Sequence, residues 1–150
     1  MSERPGIDPR GPRVSAGITA VVLLVVIGLA LGGLTVAATI LFALQGLVFA
    51  IGAFAGVQRH PYGIVFKRLI RPQLKPPLEL EDPRPPTFAQ GVGLLVTVAG
   101  LALHLLGVPL ALPIAAAAAF VAAFLNSVFD YCLGCQLYLL LTRARLIRST

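Results

Sequence analysis

The chain has 150 residues, of which 57% are apolar and only 12% charged, with a formal net charge of +6 and a mean hydropathy of +0.90. Soluble domains carry roughly a quarter charged residues, so this composition excludes an ordinary soluble fold and makes the bilayer the solvent to reason in. Twelve Lys and Arg against six Asp and Glu would suggest nucleic acid in a soluble chain, but here placement matters more than the sum, and a nucleic-acid partner is not expected.

Residues 1–13 mix three prolines, two glycines and alternating charges and should be irregular. Residues 14–58 and 87–129, 45 and 43 in length, contain no Asp, Glu, Lys or Arg. Each is about twice the ~20 residues a helix needs to cross ~30 Å of hydrocarbon, which predicts four crossings. The first helix is expected over 14–31. It reads as uncleaved, because it is too long for a signal core, lacks a small-x-small cleavage site and runs directly into a second span. Gly32-Gly33 turns the chain into a second helix over 34–57, where Gly52 and Gly56 would let another helix approach closely.

From residue 58 the composition becomes basic and proline-rich. His60-Pro61-Tyr62-Gly63 should break the second helix. Residues 64–74 set Val65, Phe66, Leu69 and Ile70 opposite Lys67, Arg71 and Lys75, a pattern suited to a membrane surface. Prolines at 72, 76, 77, 83, 85 and 86 should keep the connector extended. The third span is expected over 88–106, with Pro109 in the turn and Pro113 starting the fourth helix. The alanine run at 115–119 reads as close-packing helix surface. The fourth span, over 112–131, ends at Cys132-Leu133-Gly134-Cys135. Residues 136–147 read as a second surface helix, or as a straight continuation of the fourth.

All twelve basic residues, from Arg4 to Arg148, fall on one side of this topology, with none in the turns near Gly32 and Gly107. The positive-inside rule then places both termini and the central loop in the cytoplasm.

The chain also carries an internal echo. Asp8-Pro9-Arg10 followed by Gly17 reappears as Asp82-Pro83-Arg84 followed by Gly91, at a constant offset of 82 − 8 = 74. A looser match at 134 − 63 = 71 relates Gly63 to Gly134. The expected fold class is therefore all-α integral membrane, with four transmembrane helices as two tandem parallel helix-pair repeats. Short amphipathic surface helices should follow the second and fourth spans. The whole chain reads as one membrane domain, with repeat one over 8–75, a connector over 76–86 and repeat two over 82–148. Small residues on the helices leave homo-oligomerisation open.

Chemistry converges on residues 126–136. Cys132 and Cys135 are the only cysteines, at the spacing of redox dithiols and of half a zinc site. A thiolate at a helix start beside a cation is stabilised, and Cys132 is placed to begin the surface helix with Arg59 or His60 nearby. A metal set of Cys132, Cys135 and His60 is the alternative, and a soft monovalent ion would need only the thiolates. The plainer alternative is two apolar packing cysteines at i, i+3. Asp130, the one acid at a span end, is expected to pair with Arg59 or serve the site. Asn126 lies one turn earlier on the same face. Gln45, Gln90, Thr39, Thr97 and His104 should be helix-packing hydrogen bonders. No phosphate loop, serine elbow or histidine cluster is present, so no cofactor is called for and enzymatic activity is left open.

Ile7-Asp8-Pro9-Arg10-Gly11-Pro12-Arg13, Arg59-His60-Pro61-Tyr62-Gly63, Phe88-Ala89-Gln90-Gly91 and Phe129-Asp130-Tyr131-Cys132-Leu133-Gly134-Cys135 together resemble an uncharacterised family of small bacterial membrane proteins, catalogued as a domain of unknown function. Actinobacterial members look like this over nearly the whole chain. The resemblance implies a four-helix inner-membrane protein with a carboxy-terminal Cys-x-x-Cys and, as partners, thioredoxin-like or sulfurtransferase proteins. The expected activity is thiol exchange or sulfur carriage by Cys132 and Cys135, supported by Asp130, His60 and Arg59. The rival activities are soft-metal or small-solute transport, and a non-catalytic subunit whose basic loops contact lipid or a partner.

Overall fold

The computed structural model describes residues 6–146; Arg4, Ile147 and Arg148, used in the charge and surface-helix readings, lie outside them. Four long helices form an up-and-down bundle: α1 (Arg10–Leu31), α2 (Thr35–Ala55), α4 (Arg84–Leu105) and α5 (Ala111–Phe129), with shorter α3 (Pro61–Val65) and α6 (Leu133–Arg143) after the second and fourth. All four are long and apolar enough to cross a membrane. Around the bundle, α1 packs chiefly on α5 and α2 chiefly on α4, while α1 also touches α2 and α4 also touches α5. Apolar side chains such as Val36, Phe54, Leu95 and Leu105 face outward, the arrangement lipid requires.

The starts of two long helices differ most from the sequence reading, and the surface helix α6 begins at Leu133 rather than at 136. Helices α1 and α4 start one turn early, at Arg10 and Arg84, among prolines that read as irregular or extended chain. The first four N–H groups of a helix have no intrahelical partner, so Pro12 in α1 and Pro85 and Pro86 in α4 remove nothing the helices need. An aspartate sets each start. The Asp8 carboxylate accepts from the Arg10 backbone N–H at 3.0 Å and from its guanidinium at 2.7 Å. Asp82 does the same for Arg84 at 2.9 and 2.6 Å. Immediately before these clasps, Ile7 and Glu81 exchange backbone hydrogen bonds of 2.9 and 2.8 Å in an isolated antiparallel bridge.

Helix α2 stops at Ala55, short of His60, because Gly56 takes φ +92°, a conformation side-chain-bearing residues avoid. The amphipathic stretch that follows is a string of short helical turns. Its Phe66 is buried against Gly11 of α1, and Arg71 lies 3.9 Å from Asp8. At the fourth span, Asp130 enters the left-handed region at φ +54° and ends α5. The surface helix α6 is thus a separate element rather than a continuation.

The core is not spread evenly. Leu23, Val26, Ala38, Phe42, Leu112, Ala116 and Ala119 form one close-packed cluster in the half of the bundle toward the turns at Gly32 and Gly107. His104 at that end contacts Thr39 across α4 and α2 at 3.3 Å, a packing role as expected.

Candidate functional site

In the other half the helices line a partly open cavity of about 1000 Å³. It extends from Arg59, Asp130, Cys132 and Cys135 at the helix ends down to Thr19, Phe49 and Val96. Thr19 is nine residues into α1, about 13 Å of helix rise, so the cavity reaches well into the span region. Ala118, Ala119, Ala122 and Ala123 form its α5 wall. The alanine-rich surface therefore packs on one side and lines a space on the other.

Cys132 is the N-cap residue of α6: its Sγ accepts the Cys135 backbone N–H at 3.2 Å. The two cysteines are joined by a disulfide, with Cα atoms 5.1 Å apart. The left-handed turn at Asp130 swings the chain off the end of α5, and Gly134 lets the first turn of α6 lie directly on α4. A Cβ at Gly134 would sit 2.5 Å from the Ala89 Cβ and 2.6 Å from its Cα. Farther along, Tyr138 stacks at a tilt on Phe88, ring centroids 5.6 Å apart.

His60, only 2% exposed, caps α3. Its Nδ1 accepts the Tyr62 backbone N–H at 3.2 Å, so the neutral ring carries its proton on Nε2, which is 3.1 Å from the Gln90 Oε1. Burial, partly opposed by the Gln90 hydrogen bond, drives its pKa down to about 4, so the ring is neutral at physiological pH. The Tyr62 hydroxyl donates to Gln45 Oε1 at 2.7 Å, and burial pushes that phenol up. Gly52 makes room for this network: a Cβ there would lie 2.7 Å from both His60 and Gln90.

The expected partner of Asp130 is not Arg59. Arg13 of α1 reaches it, Nε to Oδ1 at 3.7 Å, and also donates to the Ser127 carbonyl at 3.3 Å. Because α1 packs alongside α5, Arg13 arrives at that depth. Arg59 is exposed and lines the cavity. Cys132, Cys135, His60, Arg59, Asp130 and Asn126 all line this one space. Among the described residues no group of three or more His, Cys, Asp and Glu is placed to hold a metal ion. Sequence reasoning missed Arg13 as a site residue and Gln90 as the partner of His60. For Gln90 a signal existed, since it is an amide in a charge-free window.

Fold and site together define an all-α chain of four bilayer-length helices with a cystine beside a cavity between them. Its family match agrees: the family described as "Domain of unknown function (DUF4395)" matches residues 7–143, and the chain belongs to it. No curated protein and no solved structure matches the chain.

Proposed function

We propose that this is a thiol-active protein of the inner (plasma) membrane, whose Cys132 and Cys135 cycle between disulfide and dithiol, or carry a sulfane sulfur, in exchange with a soluble cytoplasmic protein of thioredoxin-like or sulfurtransferase type. The observation that carries this reading is the cystine at the amino-terminal cap of α6, beside the cavity, with Sγ of Cys132 on a backbone N–H. In the dithiol the same N–H, together with the positive end of the helix, stabilises a Cys132 thiolate. That thiolate attacks a partner disulfide, forming a mixed disulfide and releasing one partner thiolate. Cys135, deprotonated in turn, attacks Cys132 Sγ, releases the second partner thiolate and restores the cystine. Arg59 supplies positive charge near the sulfurs, while Asp130 and His60 position the segments around them. The basic helix ends face the cytoplasm on this reading, following the positive-inside rule.

The same reading treats the chain as two copies related by a two-fold axis along the bundle. Supporting it, the bridge joins Ile7 to Glu81, 81 − 7 = 74 positions apart, and α1 and α4 are both 22 residues long. His60 and Cys132 both serve as N-cap acceptors after the second helix of their copy. One copy supplies a neutral histidine and the other the sulfurs.

A Cys135→Ser variant tests the exchange. It should retain a soluble partner in a mixed disulfide through Cys132, whereas failure to capture any partner, with an unchanged phenotype in the double Cys→Ser strain, contradicts it. Transport of a small solute or soft metal is the second reading, favoured by the depth of the cavity. About one metal ion per dithiol on reduced protein, lost on Cys→Ser substitution, would select it.

A further inference from the structure

Exchange with a soluble protein needs only the sulfurs at the helix ends and leaves the cavity beside them without a task. Three features describe what would fill it. First, it reaches from the helix ends into the apolar spans, against an α5 wall of alanines, so its occupant is flat or slender where it meets that wall. Second, the hydrogen bonds fix a donor there. The Tyr62 N–H on His60 Nδ1 leaves the His60 Nε2–H to donate, so the Gln90 atom it meets is the carbonyl oxygen. The Gln90 NH2 has no partner shown among the described residues, and Gln90 lines the cavity, as does the Asn126 amide. Charged side chains, among them Arg13, Arg59, Lys67 and Asp130, line the helix-end part of the space, and the alanines of α5 with Thr19 and Val96 line the rest, so a ligand with polar carbonyl acceptors at one end and an apolar body matches it. Third, the cystine borders the same space.

We infer that the cavity binds a lipid-soluble quinone, which takes two electrons and two protons from the Cys132/Cys135 dithiol. This rests on the thiol-active reading above with the exchange run in reverse: a dithiol of the soluble partner reduces the cystine, leaving as the partner's disulfide, and the quinone is the membrane-side oxidant that restores the cystine. Cys132, as thiolate, adds to the quinone ring. Cys135, as thiolate, then attacks Cys132 Sγ, so that the sulfur–sulfur bond forms as the sulfur–ring bond breaks with its electron pair passing to the ring. The two protons released by the thiols balance the two taken up by the quinol. The volume, at the upper end of the ~300–1000 Å³ typical of ligand sites, admits a ring and part of an isoprenoid tail.

Purified, fully reduced protein in detergent is mixed anaerobically with a short-tailed, fully substituted benzoquinone, and separately with a small aromatic disulfide. One quinol should form per dithiol, and none in Cys132→Ser or Cys135→Ser. Ala122→Phe, which fills the cavity, should abolish quinol formation while leaving reaction with the aromatic disulfide unchanged. Gln90→Leu, which removes one hydrogen bond, should raise the half-saturating quinone concentration by about 5- to 10-fold. Reaction with the disulfide but no quinol in the unsubstituted protein, or quinol formation indifferent to both cavity variants, overturns the quinone site and leaves thiol exchange standing. Thiols inert to both reagents overturn both.

Discussion

Toward the turns at Gly32 and Gly107, Leu23, Val26, Ala38, Phe42, Leu112 and Ala116 fill the space between helices, each 1% exposed or less. Closer to the cysteines, the same four helices stand around an open cavity. The packed cluster is made of apolar side chains alone, whereas the cavity half also carries polar and charged ones such as Arg13, Gln90, Asn126 and Asp130. Lipid is as apolar as leucine, and helices in it associate through fit and polar contacts rather than by escaping water. The solid half has large side chains that interlock. The hollow half is held by groups that act at its edge: the Asp8 and Asp82 clasps, Arg13 on Ser127 and Asp130, and the chain from Gln45 through Tyr62 and His60 to Gln90. Close apolar packing concentrates in one half, and the other keeps a space open between its helices.

Substitutions that treat the two halves alike should separate them. Phe42→Ala, in the solid half, removes a fully buried ring and should cost about 3–5 kcal/mol, read from unfolding in detergent. A loss under 1 kcal/mol would mean the solid half is not the anchor.

Acid should act on the hollow half through His60. The folded pKa of about 4 lies below the ordinary 6.5, so between these values the unfolded chain binds more protons than the folded one. Stability is then flat above pH 7, falls as pH drops from 6.5 toward 4, and loses about 3 kcal/mol across that window. His60→Gln should remove this slope, and a slope that persists would place the acid sensitivity elsewhere.

The matched pair Ala116→Leu and Ala123→Leu sits two turns apart on α5. Ala116 is fully buried in the packed cluster and Ala123 lines the cavity. Overpacking should make the first cost about 1–3 kcal/mol. The second should leave stability nearly unchanged, and equal costs would erase the distinction between halves.

Much of this architecture was legible in the sequence. Two charge-free windows of twice the bilayer length foretold four helices, and the Cys-x-x-Cys beyond the fourth foretold a cap and a surface helix. The starts of α1 and α4 were hidden because prolines and charges resemble a loop, yet suit a first helical turn once an aspartate takes the first N–H. Within the site, the shared surroundings of Cys132, Cys135, His60, Arg59 and Asp130 followed from topology alone. The choice of Arg13 over Arg59 for Asp130 did not, since it depends on which helix lies beside α5. Nor was the cavity visible, because alanines read equally as packing and as wall, and only the facing helices decide between them.

On the proposed thiol-active reading, a reactive sulfur pair lies at the basic end of the bundle and that end faces the cytoplasm. Treating reduced protein in sealed membrane vesicles of each orientation with a membrane-impermeant maleimide tests it directly. Cys132 and Cys135 should label in inside-out vesicles and stay unlabelled in right-side-out ones. Labelling from the outer face, or thiols that react only after detergent opens both orientations, would contradict it.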